Sequence, residues 1–134
     1  MINLPDFLKN SLMFQVENLI SKINLIYMLD KYGLKTEDKE KVRKRDKKCV
    51  YCHKQMIYPF DINRRQDSAT IEHLNHLPPW NNPETIAYCC GSCNSSRGKR
   101  TITDWFESTY CKSKNITLKT VAQAVQDYIL EFER

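Results

Sequence analysis

Two Cys-x-x-Cys pairs, Cys49-Val-Tyr-Cys52 and Cys90-Gly-Ser-Cys93, constrain this chain more than any other feature in it. Each pair can close into a knuckle that offers two thiolates to one ion. Four thiolates at about 2.3 Å around a tetrahedral centre describe structural Zn²⁺. A closed four-sulfur site has no open coordination position, so its work is to tie distant segments together. The chain carries six cysteines. Cys89 lies beside Cys90, and the two-residue spacing selects Cys90 as the ligand, leaving Cys89 to pack on the reverse side. Cys111 reads as a small buried hydrophobe on a helix. His53 follows Cys52, but four thiols already complete the set.

Length and composition set the frame for this clamp. A chain of 134 residues, with 41% hydrophobic and 28% charged residues, fits one globular domain. No basic start followed by an apolar run opens it, so the expectation is a cytoplasmic protein with reduced thiols. The longest apolar run, Leu25 to Leu29, is far too short to span a membrane. The net charge of +5 permits an acidic partner such as nucleic acid. Its distribution is uneven. Residues 35–48 hold eight Lys/Arg against four Asp/Glu, and Arg97-Gly-Lys-Arg100 follows the second cysteine pair directly.

Periodicity divides the chain into helices, a cysteine-flanked hairpin, and helices again. The spacing predicts a helix from Pro5 to Tyr32, with Leu12, Val16, Leu19, Ile23 and Ile26 on one stripe, widened by Leu8, Met13, Ile20 and Tyr27. Gly33 is its stop signal. The stripe suits a helix that covers the core and also, being nearly a heptad, a homodimer helix. Thr36 is expected to cap a charged helix over 37–47. Residues 68–72 and 85–88 read as short strands, separated by the Pro78-Pro-Trp-Asn-Asn-Pro83 loop. A helix is expected from Cys90 to about Lys99, then helices capped by Thr103 and Thr117, the last with Val121, Val125, Tyr128, Ile129 and Phe132 on one face. The segments are 1–48, 49–100 and 101–134.

Between the knuckles lies Ser68-Ala-Thr-Ile-Glu-His-Leu-Asn-His76, with two of the three histidines. Glu72-His73 ends the first strand, and Asn94 follows the last cysteine. A zinc joining both knuckles would bring these residues near one point. Glu72 and the Asn94 side-chain oxygen are hard ligands suited to Mg²⁺, Mn²⁺ or another divalent ion such as Ni²⁺. His73 can take a proton from water near neutral pH. Arg97, Lys99 and Arg100, with Arg64, Arg65 and His76, are candidate DNA contacts.

These residues, "CVYC…TIEHLNHLPPWNNPETIAYCCGSCNSSRGKR", resemble the HNH endonucleases, and within them the endonuclease VII-like resolvases, in which Asn follows the last zinc cysteine. The likeness covers about residues 49–100. It implies an α+β, mostly helical fold: a central zinc-bound ββα-metal (His-Me finger) motif flanked by N- and C-terminal helices. It implies metal-dependent hydrolysis of DNA phosphodiesters, with His73 as general base and Glu72 and Asn94 as catalytic-metal ligands. The sequence departs from the pattern in having Glu72 where Asp is commoner, His76 where Pro is usual, and Thr85 where an Asn braces the loop; Asn81 or Asn82 can supply that brace. The alternative expectation is a zinc-stabilised nucleic-acid-binding module without catalysis.

Overall fold

The computed structural model describes residues 5–28 and 30–133; side chains of residues 24–28 lie outside that description, and with them the Ile26 and Tyr27 positions of the first stripe. About half the chain is helical, around one two-stranded antiparallel sheet, so the protein is α+β. Helix α1 spans Asp6–Met28 and α2 spans Thr36–Arg45. Strands β1 (Ala69–His73) and β2 (Ile86–Cys90) form the hairpin. Helix α3 (Gly91–Arg97) leaves β2 directly. Three short helices follow: α4 (Ile102–Phe106), α5 (Thr109–Lys114) and α6 (Gln123–Phe132).

The core gathers on the hairpin. Trp105, Ile102, Ile86, Cys89 and Val125 are buried there with Tyr51, whose ring meets Trp105 edge-on at 4.9 Å. Asp46, at the end of α2, is the buried polar anchor of this layer. It accepts the Tyr88 amide at 2.9 Å and is forked by Arg45 at 2.7 and 2.8 Å, while Arg45 also donates to the Ile86 carbonyl. The first knuckle joins the same layer through Val50, which donates to Tyr88 O and accepts from Ala122 N.

Helix α1 forms as its periodicity predicts, but it does not cover the core. Every side chain from Asp6 to Ile23 is exposed, including Phe7, Leu12, Phe14 and Leu19. Two other expectations shift for local reasons. Thr101, not Thr103, caps α4, because its hydroxyl takes the Asp104 amide, and Thr103 N and Oγ1 are instead held by Glu133 at the end of α6. Thr117 serves a turn closed by Thr120, and α6 starts later, after Ala122. Ser108 caps α5.

Gly91 makes the hairpin and helix fit. Its amide donates to Ser68 O, and a Cβ there would stand 1.9 Å from the Arg65 carbonyl oxygen. That atom is backbone and has no rotamer to change, so relief requires moving the chain. Gly91→Ala is expected to lower stability to urea by about 2–3 kcal/mol or more. An unchanged denaturation midpoint would show that the 64–68 turn does not pack against α3 as described.

Candidate functional site

The two knuckles meet. The sulfurs of Cys49, Cys52, Cys90 and Cys93 all lie within 4.8 Å of one another, and Cys52 and Cys90 are 3.8 Å apart. A tetrahedron with ligands at about 2.3 Å has an edge of about 3.8 Å. The donor set is all thiol, which fits zinc and not a hard, oxygen-seeking cation. The first knuckle turns at His53, whose backbone is left-handed (φ 61°); His53 N returns to Cys49 O at 2.9 Å, and Cys49 N takes Lys54 O at 2.9 Å. The His53 ring bonds Thr120 O and is no ligand. Packed this closely, the thiols oppose one another. Hydrogen bonding with Cys49 pulls Cys52 far down and Cys90 to about 7, while Cys52 pushes Cys49 up and Cys49 pushes Cys93 up. A divalent cation is what lets all four be charged together.

The register places Cys90, and not Cys89, in the four-sulfur cluster. Cys89 faces the opposite side of β2, where it meets Thr70 and donates to Glu72 Oε2 at 3.4 Å. Cys111 is buried on α5.

Strand alternation then separates Glu72 from His73. Successive side chains on a strand point to opposite faces. Glu72 turns towards α3 and is only 3% exposed; its Oε1 takes a hydrogen bond from Arg97 Nη1, and that guanidinium is only 2% exposed. Arg97 also donates to the carbonyls of His73, Leu74 and Arg100. Burial pushes the Glu72 carboxyl above its ordinary range, against the pull of Arg97. Asn94, one helical turn earlier, sends its amide nitrogen to Thr70 Oγ1 at 3.0 Å and Ile71 O at 3.3 Å.

These contacts correct two expectations. Glu72 does not join His73 at one point: it is committed to Arg97 and Cys89, and a guanidinium stands where a divalent cation would bind the carboxylate. Hence this arrangement does not fit a catalytic Mg²⁺ held by Glu72 and Asn94. Arg97 is an interior residue and not a surface contact for phosphate. Lys99 and Arg100 are exposed, although Arg100 folds back onto the Ser96 and Arg97 carbonyls. Arg65 is exposed, and Arg64 pairs with Asp67 at 3.6 Å. Asn82 braces its own turn by accepting Glu84 N, and Thr85 bonds Asn82 O.

His73 occupies the other face, 7% exposed. Its Nε2 lies 2.9 Å from the Trp80 carbonyl. A carbonyl only accepts, so Nε2 carries the proton and Nδ1 keeps its lone pair. The imidazole sits edge-on between Tyr32 (4.6 Å) and Trp80 (5.0 Å). Burial lowers its pKa and favours the neutral ring, against the opposing effect of the Trp80 carbonyl. His76 packs its ring against Trp80 at 5.7 Å, on a left-handed turn (φ 48°) closed by its amide to His73 O. Tyr32 and Trp80 had no mark in the sequence beyond the loop chemistry around Trp80.

Among the described residues, no helix is long and apolar enough to cross a membrane. Compared with family models, curated proteins and solved structures, the chain finds no match.

Cys93→Ser is expected to lose bound metal and the cooperative thermal transition together, since binding energies of about 10–16 kcal/mol are coupled to folding in structural zinc sites. Metal analysis beside a melting curve reads both; an unaltered transition would refute the clamp. Arg97→Ala is expected to cost about 3–5 kcal/mol, because it strands the Glu72 carboxyl in the interior. Glu72→Leu combined with Arg97→Met should recover most of that loss in a urea titration.

Proposed function

We propose that this protein is a zinc-stabilised DNA nuclease in which His73 accepts the proton of the attacking water during phosphodiester hydrolysis. The observation that carries the reading is the hydrogen bond from His73 Nε2 to the Trp80 carbonyl. It fixes the tautomer, leaving Nδ1 as the basic nitrogen, as a general base requires. The lowered pKa adds to this, since a ring that is neutral before reaction is ready to accept. The ββα-metal likeness of residues 49–100 supplies the reaction class. A divalent ion would supply charge neutralisation at the phosphate, held by groups other than Glu72, whose carboxylate is taken by Arg97. The exposed apolar stripe of α1 is the surface on which a homodimer would form.

A second reading, a zinc-stabilised nucleic-acid-binding module without catalysis, is favoured by that same Glu72–Arg97 pair. Supercoiled-plasmid nicking, with and without Mg²⁺ or Mn²⁺, separates the two. The nuclease reading expects wild-type nicking, and a loss of about 100-fold or more in His73→Ala, at unchanged zinc content and melting temperature. Cleavage by His73→Ala at the wild-type rate would remove His73 from the chemistry. No wild-type cleavage with any of these ions, alongside retained DNA binding, would establish the binding module.

A further inference from the structure

Two clefts of similar size mark the surface. One, about 520 Å³, is lined by Glu84, Asp127 and Glu131 among others and would repel a phosphate. The other, about 500 Å³, has the opposite character. Its floor is formed by Ala69, Thr70 and Ile71 of β1, Tyr88 of β2 and Asn94 of α3. Tyr32 lines it and packs edge-on against His73, so one ring separates the cleft from the imidazole. Volumes of about 300–1,000 Å³ are usual for ligand clefts.

The lining combines exposed aromatic rings with cations. Tyr58 and Phe60 stand two residues apart on the rim and remain 54% and 47% exposed. The Arg43 guanidinium lies over the rings of Tyr58 (4.9 Å) and Tyr88 (5.9 Å). Lys31, Lys39 and Arg65 border the cleft. Its one acid, Asp30, accepts the amides of Tyr32 and Leu34 at 2.9 Å and pairs with Lys39 at 3.5 Å. Lys31 and Arg65 have no carboxylate partner among the described residues, and Lys31 sits 4.8 Å over the Tyr32 ring. Aromatic faces beside unbalanced cations match the two parts of a nucleotide: a flat base and an anionic phosphate. Of the two forms of a polynucleotide, the unpaired strand offers both, because in a duplex the base faces are already stacked.

We infer that this cleft binds an unpaired segment of a nucleic-acid strand, with bases stacked on Tyr58 and Phe60 and flanking phosphates on Lys31 and Arg65. The inference rests on the phosphodiester reading of His73 and narrows its substrate to single-stranded or locally opened nucleic acid. Duplex DNA would meet the same cations without access to the rings.

The test uses the zinc-loaded full chain and fluorescence anisotropy with a labelled single-stranded DNA 12-mer, the same sequence as RNA, and the blunt DNA duplex, at one salt concentration without added divalent ions. Single strands are expected to bind at least about 10-fold tighter than the duplex. Tyr58→Ala and Phe60→Ala should each weaken single-strand binding about 5- to 150-fold and leave duplex binding and zinc content unchanged. Arg65→Gln should weaken both and flatten the salt dependence by close to one counterion. The DNA and RNA arms identify which strand the cleft prefers. Equal affinity for strand and duplex, or single-strand binding indifferent to both aromatic substitutions, would overturn the inference. The His73 reading stands or falls apart from this: His73→Ala that binds the single strand normally yet still cleaves would overturn that reading and leave the cleft assignment intact.

Discussion

Four sulfurs drawn to one point tie the hairpin, the helix after it and a distant loop together. Cys49 and Cys52 come from a loop outside the sheet, while Cys90 ends β2 and Cys93 lies in the first turn of α3. A two-stranded sheet is marginal by itself, and here it is buttressed by the four-cysteine cluster at one end and by Asp46 and Arg45 along β2. With the β2–α3 corner fixed, Gly91 can lie against the Arg65 carbonyl and α3 can reach back along β1. Positions for Asn94, Arg97 and the end of β1 follow from that corner.

Much of this was legible in the sequence. The spacing of the cysteine pairs identified the four-thiol cluster, and the short runs on either side of the Pro-rich loop located both strands to within two residues. The choice of Cys90 over Cys89 came from spacing, and alternation on β2 supplies its physical reason: adjacent residues cannot share a face. The same rule, applied to β1, would have parted Glu72 from His73. Reading them as a pair gave weight to their proximity in sequence, whereas in a strand neighbours in sequence face apart. Arg97 was misread for a related reason. A charge cluster after a helix start suggests a solvated surface, and only the buried partner Glu72 shows that one of its members is internal.

Other features lay beyond sequence reasoning. The regular stripe of α1 predicted a helix correctly, but periodicity records which side chains share a face and not what lies opposite them. Residues 55–67 have no periodicity, so nothing announced that Tyr58 and Phe60 would border a cleft with Tyr32. The orienting partner of His73 is a main-chain carbonyl at Trp80. Any residue type could present that atom, and so no residue type reveals it.

Arg97 gives α3 a mechanical meaning. The helix is seven residues long, a rod of about 10 Å. Its first turn bears the Cys93 sulfur, and its last turn sends a guanidinium to the carbonyls of His73 and Leu74. Few joints intervene, since Glu72 locks the far end and Gly91 is wedged at the near one. The sulfur cluster and the end of β1 are thus joined through a single short rod, with a cysteine at one end and a guanidinium at the other.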